Sequence, residues 1–376
     1  MNIFQGNFTS YSHYLPIFLI SFLFTLFLTP IVGFIGKKYK IIDLPGGDRK
    51  SSDDTRLRRI HTEAKLKLGG VAVIIPFLIL SLLTVPVSKF LVGFMFAVFA
   101  LLLTGILDDL FELYSKVQAI MHIFAACLIV FSGLEISYIS NPFGQAISLE
   151  FLKITFLGMV RYLPAALLTI FWITFIINAV KWVAGTDGLV EGNGAIAAAI
   201  IALLSVRFQT GETANMGFIL TGGLLGFLVF NFYPSKILSG SAGKSVYGFI
   251  LAVLAIYSGG KMATFLLTLS LPLIDAVWVI FYRIKVHKPK TIFALLAIND
   301  KTHIHHRLLA MGMTQKQVAF SEYTFTLIVG LTAFLLTGML KAVVLLIVFL
   351  TIFFLFIGIN IYRKREKNEN IVITGK

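Results

Sequence analysis

The chain has 376 residues, of which 57% are hydrophobic and only 13% charged, with 36 Phe, a mean hydropathy of +0.90 and a formal net charge of +14. Soluble domains carry about 25% charged residues, so a water-soluble globule is excluded and a polytopic, all-α membrane protein is expected. The positive surplus requires no nucleic-acid partner, because anionic lipid headgroups and a polyanionic substrate are the natural counterparts of a basic cytoplasmic face.

In chain order, apolar stretches able to cross a ~30 Å hydrocarbon layer as helices of about 20 residues fall near 15–36, 68–87, 90–107, 119–139, 164–183, 194–206, 216–233, 245–259, 262–282, 324–340 and 342–362. Eleven spans are expected, the sixth and eighth being the weakest, in a single transmembrane domain over 1–376. Residues 1–14 hold no Lys or Arg, so the first span lacks the positive n-region of a signal peptide and reads as a retained helix. An odd count puts the termini on opposite sides. With the N-terminus outside and the C-terminus cytoplasmic, 26 of the 32 Lys and Arg residues lie inside, and Lys89, Lys153, Arg161, Arg207, Lys261 and Lys341 lie outside, which satisfies the positive-inside rule. The cytoplasmic loops are then 37–67, 108–118, 184–193, 234–244 and 283–323, followed by a basic tail at 363–376, and the expected location is the inner (cytoplasmic) membrane. Residues 43–59 and the tail are polar and expected to be mobile. The single cysteine, Cys127, has no disulfide partner in the chain and is expected to serve packing.

This topology gathers the unusual polar residues on one side. Asp108 and Asp109 close the third span, and adjacent carboxylates repel unless a cation or proton intervenes; acids at membrane depth point to function, against the plainer alternative of solvated charges at a helix end. Asn178, Lys181 and Asp187 mark the cytoplasmic end of the fifth span, within "NAVKWVAGTDGLVEGNG" (178–194), where Asp187 and Glu191 form an acid pair in a glycine-punctuated loop. Asp275, in "LPLIDAVW", fits a helix–helix contact as well as it fits a functional role. "HIHH" puts His303, His305 and His306 between Lys301 and Arg307. The partners and spacings of a zinc site are absent nearby, and imidazoles beside cations suit a phosphate-rich ligand or, alternatively, a solvated basic patch. "SGSAGKS" (239–245) lacks the glycine spacing and preceding strand of a nucleotide P-loop, although small residues at a helix start can still offer N–H groups to an anion. The outer stretch 140–163 offers a turn and a short hairpin but no cluster of catalytic residue types.

Together these elements resemble the polyprenyl-phosphate N-acetylhexosamine-1-phosphate transferase superfamily (glycosyltransferase family 4), an integral-membrane group that includes the phospho-MurNAc-pentapeptide transferases. The span count is most similar to that of bacterial undecaprenyl-phosphate GlcNAc-1-phosphate transferases. The resemblance is carried by "DDLFELYSK" (108–116), by "DKTHIHHRL" (300–308) and by "RRIHTEAKLKLGG" (58–70), a basic-His segment ahead of a Gly-Gly that opens the second span. It implies a reaction in which a polyprenyl phosphate attacks the β-phosphorus of a UDP-sugar, releasing UMP, with Mg²⁺ as the family's cofactor and a homodimer as a candidate assembly. It further implies catalytic roles for Asp108, Asp109, Asp187, His303, His305 and His306, and metal ligation by Asp109 and Asp187. Substrate contacts would come from Arg59, His61, Lys116, Asn178, Lys181, Asn231, Lys236, Lys244 and Arg307.

Two segments depart from the family pattern. Where the family reads NxxNxxDGxDGL, this chain has Asn178, Lys181, Ala184-Gly185 and Asp187-Gly188-Leu189. Where the family reads NxxPAKxFxGDxGS, "NFYPSKILSGSAGKS" places Ser241 at the acid and Lys244 at the serine. The family acid at the Ser241 position is a principal metal ligand, so the need for Mg²⁺ is left open. Three readings follow: a sugar-phosphate transferase with weakened or absent metal dependence, a catalytically silent relative that binds polyprenyl phosphate or a nucleotide sugar, and, least favoured, a transporter, whose site would lie near the bilayer midplane.

Overall fold

The computed structural model describes residues 11–43, 63–139, 141, 144–156, 159–258, 262–298 and 302–374. It is a helical bundle: α1 (Leu15–Lys38), α2 (Gly69–Thr84), α3 (Lys89–Phe111), α4 (Ser115–Ser132), α5 (Leu163–Val183), α6 (Leu189–Arg207), α7 (Gly211–Asn231), α8 (Gly240–Tyr257), α9 (Met262–Thr268), α10 (Ser270–His287), the short α11 (Ile292–Ala297) and α12 (Ile304–Ala310), α13 (Gln315–Leu335) and α14 (Gly338–Thr374). Among the described residues, nine helices are long and apolar enough to cross a membrane. The two other expected spans correspond to α2, which has 16 residues, and to the α9–α10 pair, which is interrupted at Leu269 just ahead of Pro272. A proline near a helix start cannot extend the preceding helix, which fits the break. The tail from 363 is described to Thr374 as the continuation of α14.

The sixth and eighth spans are longer than their apolar runs suggest. α6 starts at Leu189 and takes Glu191 and Asn193 into its first turns, while α8 starts at Gly240 and takes in Lys244. Both helices are among the most enclosed spans, so these polar groups sit against protein and not against lipid. The expected loops 184–193 and 234–244 are correspondingly shorter. Around α8 pack α3, α5, α2 and α6, with α7 joining α1 to α6, whereas α14 is peripheral and presents apolar side chains such as Phe354 outward. α3 reaches α8 at Gly105, where an added Cβ would stand 2.3 Å from the Cα of Ala242. Small residues of this kind let transmembrane backbones approach closely.

One end of the bundle is closed by β1 (Ile42–Asp43) paired antiparallel with β2 (Lys65–Leu66). Leu66 also bridges Ile237, the N–H of Leu238 donates to the Leu66 carbonyl at 2.8 Å, and the N–H groups of Gly69 and Gly70 donate to the carbonyls of Leu238 and Ser239. This ties the segment before α2 to the segment before α8. Because successive side chains of an extended chain alternate in direction, "KLKL" (65–68) turns Leu66 and Leu68 into the core and leaves Lys65 and Lys67 on the opposite side. At the far end, β3 (Tyr138–Ile139) pairs with β4 (Ile147–Ser148) and β5 (Lys153–Phe156) with β6 (Met159–Tyr162), bearing out the hairpin expected in 140–163. There Arg161 holds Glu135 at 3.2 Å and the α4 carbonyl of Val130 at 2.8 Å.

Candidate functional site

The N-termini of α2, α6, α8 and α13 and the C-termini of α1, α3, α5 and α7 meet at the end closed by β1 and β2. Between them lies a cavity of about 320 Å³, within the ~300–1,000 Å³ range of small-molecule sites. Asp109, Lys181, Asp187, Asn231 and Lys244 all line it, as do Ala184 and Ser241. Residues as far apart in the chain as Asp43 and Gln315 thus share one wall system.

Each carboxylate in the cavity already has a partner. Asp109, at the C-terminal end of α3, accepts from the N–H of Ser241 at 2.9 Å and of Ala242 at 3.3 Å, so it caps the positive end of α8. The fit is tight because Gly240 has φ +68, and an added Cβ there would stand 2.2 Å from Asp109 Oδ2. Asp187 Oδ2 accepts from Lys65 Nζ at 2.6 Å and from the Ser235 N–H at 3.0 Å, and Lys65 also donates to Ser235 Oγ at 2.8 Å. Asp43 pairs with Lys67 at 3.0 Å. Glu191 is bonded by Ser239 and lies in the field of Lys244. Asn231 ties the loop before α6 to the one before α8, accepting from the Gly188 N–H at 3.0 Å and donating to the Ile237 carbonyl at 2.8 Å.

Among the described residues that line the cavity, four lysines (Lys65, Lys67, Lys181, Lys244) therefore face four acids (Asp43, Asp109, Asp187, Glu191), and their formal charges balance. The residues expected from the sequence make a basic site because they include Lys116, Lys236 and Arg307, which do not line the cavity; Lys65, Lys67, Asp43 and Glu191, which were not assigned to it, add two charges of each sign. The alternation in "KLKL" and the acid pair of 187 and 191 were the available signals; the pairing of β2 with 237–239 that aims the lysines was not visible.

Gln118 is a further residue that sequence reasoning missed. It donates to Asp108 Oδ1 at 2.8 Å and accepts from Lys181 Nζ, linking the first acid of the pair to the cavity lysine. Asp108 also accepts from the Leu113 N–H at 2.8 Å and lies beside the cavity without lining it.

The histidine segment forms a neighbouring layer. His303 Nδ1 meets Asp275 Oδ2 at 2.6 Å, and Asp275 Oδ1 accepts from the Ile304 N–H at 2.8 Å, with both side chains fully buried. Asp275 thereby anchors the segment to α10. The His303 and His305 rings stack at 5.6 Å, His305 and His306 lie 4.3 Å apart, and His305 packs directly on Gly185 of the cavity rim. The alternative of a solvated basic patch does not hold for these residues: all three histidines and Arg307 are buried, with Asp275 and Trp182 against His303 and Trp278 against Arg307.

Several expected substrate residues are turned elsewhere. Lys116 is exposed and lies over the Phe293 ring of α11 at 5.7 Å. Asn178 donates to the Thr174 carbonyl of its own helix at 2.8 Å. Lys236 is exposed outside the cavity, since its strand-like segment alternates and Ile237 takes the buried side. Arg307 donates to the Thr302 carbonyl at 2.6 Å and stacks on Trp278. Arg59 and His61 lie outside the described residues.

The donor set does not fit Mg²⁺ as it stands. Mg²⁺ requires near-octahedral oxygen ligands, but both Asp109 oxygens take N–H donors from α8 and Asp187 Oδ2 takes an ammonium and an N–H. No group of three or more His, Cys, Asp or Glu residues able to hold a metal occurs among the described residues.

Comparison with known proteins agrees with this architecture. Residues 91–259, from α3 to just beyond α8, match the model for glycosyl transferase family 4. A Bacillus subtilis (strain 168) protein named probable undecaprenyl-phosphate N-acetylglucosaminyl 1-phosphate transferase is 28% identical over 90% of this chain and 89% of its own length. The undecaprenyl-phosphate alpha-N-acetylglucosaminyl 1-phosphate transferase of Haemophilus influenzae is 27% identical over 82% of this chain and 81% of its own. A phospho-N-acetylmuramoyl-pentapeptide-transferase of Caldanaerobacter subterraneus is 28% identical over 76% of this chain and 87% of its own. The matched segment carries Asp109, Lys181, Asp187, Asn231 and Lys244, and the relatives extend along most of the chain, so the protein is similar to the glycosyl transferase family 4 proteins in its central helices and to these transferases over most of its length.

Proposed function

We propose that the protein transfers a sugar-1-phosphate, of N-acetylhexosamine type, from a UDP-sugar to a polyprenyl phosphate at the cytoplasmic face of the inner membrane. An oxygen of the lipid phosphate attacks the β-phosphorus of the donor, the bond between that phosphorus and the UMP oxygen breaks, and UMP departs with the bonding electrons. Two anions must approach for this to occur, so the barrier falls where fixed positive charge offsets the crowded phosphates. Lys65, Lys67, Lys181 and Lys244 can supply that charge, and Asp187 and Gln118 hold two of them in position. The observation that carries this reading is the cavity at one end of the bundle into which separate polar segments converge. The relatives named above as polyprenyl-phosphate sugar-phosphate transferases support the substrate class.

A second reading, a silent relative that binds polyprenyl phosphate or a nucleotide sugar without turnover, is favoured by the missing metal-type cluster among the described residues, since a point charge does not template an in-line displacement as an octahedral ion does. Purified full-length protein given undecaprenyl phosphate and a panel of UDP-sugars separates the two. Lipid-dependent UMP release with one donor is expected; no release with any donor, alongside measurable UDP binding, leaves the silent reading.

A further inference from the structure

We infer that the cavity takes up the diphosphate of its donor through ammonium groups, with Lys65 as the central ligand and no divalent cation. This rests on the donor reading above and adds how the diphosphate is held.

Lys65 comes from a two-residue strand whose register is fixed twice, by Asp43 opposite it and by the bridge from Leu66 to Ile237. An ammonium has three donors, and Asp187 and Ser235 take two of those of Lys65 at 2.6 and 2.8 Å, leaving one for a ligand. The nitrogen thus occupies the position beside Asp187 Oδ2 that a metal ion using that oxygen would need. Asp109, the other acid expected to bind metal, is committed to the start of α8. Lys181 and Lys244 reach the same cavity from α5 and α8, so cations of three different elements surround the space where a diphosphate would lie. Ser239 and Glu191 line the adjoining wall and give polar contact without adding a metal-type cluster.

The test is calorimetric titration of the purified full-length protein with UDP, and separately with inorganic pyrophosphate, in EDTA and in Mg²⁺. Equal affinity in the two conditions is expected. Lys65→Met should weaken UDP binding by roughly tenfold or more, the scale of one charge-assisted hydrogen bond, while Lys65→Arg retains most of it; thermal unfolding of each variant establishes that it is folded. Binding that requires Mg²⁺, binding unaffected in folded Lys65→Met, or no binding of either probe would each overturn the inference. A protein that binds UDP in EDTA but releases no UMP upholds it and removes the transferase reading, whereas UMP release that depends on Mg²⁺ does the reverse. If Lys65→Met does not fold, Lys65→Gln and the chelator comparison on the unaltered protein carry the decision.

Discussion

An added Cβ at position 185 would stand 1.8 Å from Nε2 of His305, so this glycine is the contact through which the histidine layer meets the cavity rim. Such overlap cannot be absorbed by the ring alone, because His305 is buried between His303 and His306 and His303 is fixed by Asp275. Gly185→Ala is therefore expected to move the histidine segment or the loop before α6, and to lower UMP release at least about tenfold, the scale on which small misplacements act in catalysis. Unchanged release together with an unchanged melting temperature would show that the two layers are independent. The same residue illustrates what can be read from sequence. "HIHH" and "AGTDG" each stand out as polar segments between apolar runs, but that one packs on the other depends on the fold of α10, α12 and the loop after α5, and no local pattern encodes it. Lys65 was harder still: among ten Lys and Arg residues in 37–67, only the alternation of "KLKL" marks it, and the pairing of β2 that aims it into the cavity is not visible in the sequence.

At the scale of elements, the close approach of α3 to α8 places Asp109 at the helix start. Gly105→Val would push the helices apart where Ala242 backbone lies 2.3 Å from the new Cβ. Overpacking of this kind costs about 1–3 kcal/mol, and the N–H contacts of Asp109 with Ser241 and Ala242 would be lost along with the packing. A lowered thermal midpoint with reduced UDP affinity is expected, and a variant with unaltered stability would contradict the tight crossing. Helix existence was legible from the apolar runs, as was the order of the elements. The starts of α6 and α8 were not, because hydropathy counts Glu191, Asn193 and Lys244 as loop residues, whereas burial against neighbouring helices lets them lie inside helical turns. The same error hid Glu191 from the site.

For the whole molecule, the alternation of helices puts the cavity at one end and the β3–β4 and β5–β6 pairs at the other. Exposed Lys236 lies at the cavity end and exposed Leu152 at the opposite end. In a Cys127→Ala background, Leu152→Cys should react with a membrane-impermeant maleimide in intact cells, and Lys236→Cys only after the membrane is opened. The reverse pattern would invert the orientation drawn from the positive-inside distribution and place the chemistry outside. That the polar clusters share one end was legible because it needs only span alternation, while the side that end faces rests on the count of Lys and Arg; the shape of the cavity was not legible, because it depends on contacts between distant segments.

The equal number of lysines and carboxylates among the described residues lining the cavity, with Lys65 held by Asp187 and Lys67 by Asp43, bears on which solutes can enter it. A lysine already held by a carboxylate gains little from a passing chloride, since the exchange replaces one monovalent contact by a weaker, more mobile one. A group carrying two or more negative charges on adjacent phosphates can engage several ammonium ions at once and make their separation from the resident acids favourable. Resting neutrality would thus act as a threshold that screens out the abundant simple anions of the cell and admits multivalent ones.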